Sequence, residues 1–187
     1  ACFAIPHNSN VSNGWMFSEY KFLGKDGTDG GKIDARYARR QQSMEPLFEI
    51  FQTKGSSDSH PLLSPNDEFA GFELFTNMIN VGMPSQIRYG YYRQGLGQGM
   101  IIENELGANP YKMGVVAGAD SHSAYSPNEE LNFHGSHALL DDEPKKRLNP
   151  ERNASGDVAA AVGSAGVTAV WAEENTRASL FDAMKAR

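Results

Sequence analysis

The sequence predicts an α/β fold built on buried, parallel strands. Three observations carry this. Short apolar runs occupy residues 2–5, 46–52, 111–118 and 165–171, each of strand length. Between them lie stretches that suit helices or packed loops, and capping residues mark where helices start: Asp34, Ser85 and the pair Asn175 and Thr176. No internal repeat suggests a solenoid, so alternation of strand and helix is the organising pattern.

Each element has a local reason. Residues 2–5 form a strand closed by Pro6, an opening that reads as the interior of a larger fold, and the chain is expected to be a fragment. Residues 8–31 make a long polar loop pegged by Trp15, Phe17 and Tyr20, expected to wall a pocket for an organic substituent. Asp34 caps a helix over 35–40. In 46–52, Leu47, Phe48, Ile50 and Phe51 surround Glu49, the pattern of a strand covered on both faces. Residues 55–60 form a polar turn and 69–79 a helix or packed loop. Ser85 caps a helix over 86–94, which the glycines at 95, 97 and 99 end in a turn. Residues 111–118 make a third strand, 141–157 an exposed, flexible excursion and 165–171 a fourth strand. A final helix carries Leu180, Phe181 and Met184 at helical spacing.

Charge and composition exclude several functions. The chain has 17 basic and 23 acidic residues, a net −6 that disfavours nucleic acid and anionic lipid as partners. No apolar run is long enough to span a membrane, and the single Cys2 cannot close an internal disulfide. The order G-x-G-x-x-G of a dinucleotide loop and the G-x-S-x-G of a nucleophile elbow are both absent. Cytoplasm and periplasm are both compatible with this composition.

In parallel α/β sheets, functional groups gather beyond the carboxyl ends of strands. His7 and Asn8 follow the first strand; Gln52, Lys54, Asp58 and His60 follow the second; Asp120 and His122 follow the third. Asp-x-His in extended backbone turns both side chains to one face, where a carboxylate and an imidazole can share a zinc, manganese or iron ion. His134 and His137 have the spacing of two ligands on one helical turn, but their Gly-Ser interval favours a surface loop.

Four segments, 3–10 (FAIPHNSN), 45–52 (EPLFEIFQ), 118–122 (GADSH) and 170–177 (VWAEENTR), resemble the C-terminal part of an uncharacterised bacterial family within the PHP (polymerase and histidinol phosphatase) superfamily of metal-dependent hydrolases. The resemblance spans residues 1–187. It implies the later part of a distorted (β/α)7 TIM-like barrel, incomplete in this chain, with two or three divalent metals at the strand ends. By resemblance His7, Asp120 and His122 are metal ligands, and Asn8, Glu49, His60, His134 and His137 are candidates for substrate or supporting contacts. The opening His-x-His of the superfamily is absent. The remaining ligands are therefore expected from another part of the gene product or a separate chain, without which this chain is inactive. The implied reaction is hydrolysis of a small ester, a phosphoester foremost, by a metal-activated water. The alternative is a non-catalytic barrel fragment that binds a ligand or protein.

Overall fold

The computed structural model describes residues 2–21, 30–79, 81–123, 125, 128–136, 141–149, 151, 161–163 and 166–187. They form a mixed α/β structure. Its elements are α1 (Ala35–Met44), β1 (Leu47–Gln52), β2 (Gly55–Ser56), α2 (Tyr92–Leu106), β3 (Gly114–Ala117), α3 (Pro144–Arg147) and α4 (Arg177–Ala186), with single 3-10 turns at Ser9–Val11 and Glu130–Asn132. The sheet has the order β2-β1-β3, with β1 parallel to β3 and antiparallel to β2. A parallel pair needs a crossover, and α2 lies in the connection.

Asp34 caps α1 as expected, its Oδ1 accepting from Tyr37 N at 2.8 Å, although the helix continues to Met44. Thr176 caps α4 in the same way through Ser179 N. The core forms where Phe17, Phe48, Tyr92 and Tyr111 meet. Phe17 stands edge-on to Phe48 and Tyr111, with ring centres 5.3 and 5.4 Å apart, and Phe48 stacks on Tyr92. Edge-to-face packing of this kind adds to the area the rings bury. Both tyrosine hydroxyls donate to backbone carbonyls, Tyr92 to Met113 and Tyr111 to Ser18, so neither is left unsatisfied inside.

Several expectations are corrected. Ser85 does not open a helix; its Oγ accepts from Asn13 N, and α2 begins seven residues later at Tyr92. The glycines at 95, 97 and 99 lie inside α2 instead of ending it. A Cβ at Gly95 would stand 2.5 Å from the Phe17 ring, and one at Gly99 would collide with Asn109, so close approach, not chain reversal, requires these two. Residues 2–6 run beside β1 through one bond, Glu49 N to Pro6 O, and make no strand. Residues 166–171 likewise make no strand: Thr168 Oγ1 bridges Ala117 N and O, and Gly166 N reaches Gly118 O. The polar stretch after β1 turns back as β2 instead of leaving the sheet at once. Phe17 belongs to the core, not to a pocket wall, whereas Trp15 and Tyr20 do line a cavity. Of the stretch 141–157, residues 150 and 152–157 lie outside the described residues; Asp141 is buried, its Oδ2 accepting from Ser136 N, and 142–145 are exposed.

Candidate functional site

β1 places Glu49, and an irregularity places its neighbour. Leu47, Phe48 and Glu49 pair in step with Gly114, Val115 and Val116, but the next pair is Phe51 with Ala117, so β1 carries one extra residue. Strand side chains alternate, and Gln52, three residues on, would face away from Glu49 in a regular ladder. The extra residue restores it to the same face. Gln52 Nε2 lies 3.1 Å from Glu49 Oε2 and 3.2 Å from Asp120 Oδ2, bracing the two carboxylates.

Asp120 follows β3 with a left-handed backbone, φ 50°. Its Oδ2 accepts from Lys54 Nζ at 2.5 Å, and the Lys54 side chain is only 5% exposed. Burial pushes the Asp120 carboxyl up, but the Lys54 bond and charge, helped by Gln52 and His122, outweigh it and hold the group below its ordinary range. For Glu49 the balance reverses: burial pushes its carboxyl up more than Gln52 and His7 pull it down. Glu49 Oε1 also fills the space above Gly118, where a Cβ would lie 2.8 Å away.

Around these groups is a cleft of 260 Å³ lined by Ile5, His7, Glu49, Val116 and Asp120. His7 Nδ1 is 3.9 Å from Glu49 Oε2, and His122 Nε2 is 3.6 Å from Asp120 Oδ1. The structure thus brings together His7, Glu49, Asp120 and His122 as two imidazole–carboxylate pairs. Asn8, also left-handed at φ 55°, follows His7 and has its Oδ1 buried with no partner among the described residues.

The other candidates stand elsewhere. His60 rests on the Tyr91 ring, its Nδ1 accepts from Leu62 N, and burial lowers its pKa. Asp58 pairs with Arg93 at 2.7 Å. His134 bonds Asn132 Oδ1 and meets the edge of Tyr125, and His137 lies outside the described residues. Gln52 and Lys54, which the sequence places at a strand exit without a role, are the bracing residues of the cleft. The two pairs have the donor chemistry of a divalent metal site, and the orphaned Asn8 oxygen is a further acceptor. Among the described residues, however, no three His, Cys, Asp or Glu side chains gather closely enough to hold an ion, and Lys54 already occupies one Asp120 oxygen.

A family model described as Protein of unknown function (DUF3604) matches residues 1–187. The chain belongs to the DUF3604 family. No curated protein and no solved structure matches it. Among the described residues of this DUF3604 chain, no helix is long and apolar enough to cross a membrane.

Proposed function

We propose that this chain contributes part of the active site of a metal-dependent hydrolase acting on a small ester, a phosphoester foremost. The observation that carries the reading is the convergence of His7, Glu49 and Asp120 on one cleft beside the parallel β1–β3 pair, with His122 Nε2 3.6 Å from the second Asp120 oxygen. Resemblance to the PHP superfamily and its barrel supports the same reading. His7, Asp120 and His122 would hold metal, with further ligands supplied by another segment or chain. A bound divalent metal would lower the pKa of a coordinated water and offset charge on the ester oxygens.

The chain's own groups have definite tasks in this reading. Gln52 Nε2 keeps the two carboxylates at a fixed separation by donating to both. Lys54 keeps Asp120 ionised, and Glu49, raised by burial, is suited to hold a proton near the cleft. A second reading, a non-catalytic ligand-binding cleft, is favoured by the Lys54–Asp120 contact, which already neutralises one acceptor.

Two measurements separate these readings. Equilibrium dialysis of the full gene product against zinc or manganese should show bound metal, with affinity reduced about 10- to 100-fold in Asp120→Asn and His122→Ala. The full gene product should hydrolyse p-nitrophenyl phosphate and lose that activity in His122→Ala. Metal uptake indifferent to both substitutions, or hydrolysis that survives them, would overturn the assignment.

A further inference from the structure

Away from the cleft, α1 and the turn at 12–20 enclose a second cavity of 200 Å³, walled by Trp15, Tyr20, Tyr37 and Tyr111 and floored by Gln41 and Glu45. Beside the hydroxyls of Ser12 and the tyrosines, its lining carries two strong acceptors, the Gln41 amide oxygen and the Glu45 carboxylate. Gln41 Nε2 donates to Glu45 Oε2 at 3.0 Å, and Gln41 Oε1 is buried with no partner among the described residues. Two neighbouring donors are engaged elsewhere: Tyr111 OH bonds Ser18 O, and Lys21 Nζ pairs with Asp34 Oδ2 at 2.8 Å. Glu45 also stands at the C-terminal end of α1, whose last turn has no basic residue. A carboxylate there adds to the negative end of the helix dipole. An unpaired buried acceptor and a carboxylate at such a position both cost free energy unless a donor or cation meets them.

We propose that this cavity binds a small protonated organic amine, its N–H groups donating to Gln41 Oε1 and the Glu45 carboxylate and its apolar part lying among the four aromatic residues. The aromatic walls suit a cation and its hydrocarbon substituent together. The volume lies below the roughly 300–1,000 Å³ of pockets for drug-sized ligands, which selects a small molecule. Burial, which raises the Glu45 carboxyl, is the penalty that such a cation would relieve.

Benzylammonium is a suitable probe, titrated calorimetrically into the wild-type chain in the presence of EDTA so that metal binding plays no part. Saturable binding is expected, weakened at least about tenfold, or 1.4 kcal/mol, in both Glu45→Gln and Gln41→Met. Circular dichroism and thermal melting verify that each variant is folded. Benzyl alcohol, which keeps the ring without the charge, and tetramethylammonium, which keeps the charge without an N–H, should each bind the wild type at least tenfold more weakly. Equal binding of benzyl alcohol would reduce the site to an apolar hole, and equal binding of tetramethylammonium would remove the role of Gln41 and Glu45. Either result, or no binding of benzylammonium, overturns the proposal and leaves the hydrolase reading of the cleft untouched.

Discussion

The two faces of β1 are built to different rules. Phe48 on one face is fully buried among Phe17, Tyr92 and Ile102, and Ile50 packs against the same cluster. Glu49 on the other face meets His7 and Gln52 and places its Oε1 over Gly118. The first face stabilises by removing apolar area from water and by close packing. The second holds its groups by directional polar contacts, which fix geometry more than they add stability. A single strand thereby separates the folding of the chain from the chemistry of its cleft.

The largest expected effect tests that separation directly. Phe48→Ala should lose about 3–5 kcal/mol in denaturant unfolding, whereas Glu49→Gln should change stability by less than about 1 kcal/mol. Similar losses from both would mean that the faces are not separable. Next, Asp120→Ala strands the buried Lys54 ammonium and should cost about 2 kcal/mol, less than a fully buried pair because Asp120 is itself partly exposed. Adding Lys54→Met should recover part of that loss, and a double-mutant cycle measures the coupling. Additive losses would deny the pair any role in fixing the cleft.

Smaller and opposite effects are expected along α2. Gly95→Ala forces a methyl group into the Phe17 ring and should destabilise by about 1–3 kcal/mol. Gly97→Ala meets nothing within 4 Å among the described residues and should stabilise by about 0.5–1 kcal/mol through helix propensity. Thermal melting of the pair checks the sign change. The smallest effect is pH-dependent. Glu45 has a raised folded pKa, so its folded form favours the proton, and its contribution to stability is present below the ordinary glutamate pKa of about 4.3 and lost as pH rises through the folded value. Glu45→Gln should therefore melt higher relative to wild type at pH 7 than at about pH 4. An unchanged difference across that range would show that Glu45 titrates normally.

The sequence discloses what local rules control. Asp34 and Thr176 are legible as caps because their side chains satisfy N–H groups two or three residues away. β1 and β3 are legible as short apolar runs of strand length, although cover on both faces is not found: Val115 in β3 is 47% exposed and Glu49 in β1 faces the cleft. The start of α2 is not legible, since Ser85 has the chemistry of a cap but is taken by Asn13, 72 residues distant. Gly95 and Gly99 read as helix breakers for the same reason: their cause is an approaching Phe17 and Asn109, not the local chain. His7, Asp120 and His122 stand out by type and position. Gln52 does not, because strict alternation would point it away from Glu49.

The extra residue in β1 also affects how such a site can be sought among other chains. With it, Glu49 and Gln52 share a face at a spacing of three; a strand lacking the Ile50 position would put the same two side chains side by side at a spacing of two. Glu-x-x-Gln and Glu-x-Gln are then one structural signature written in two lengths. An alignment that forbids a gap at position 50 would separate chains that brace their carboxylates identically.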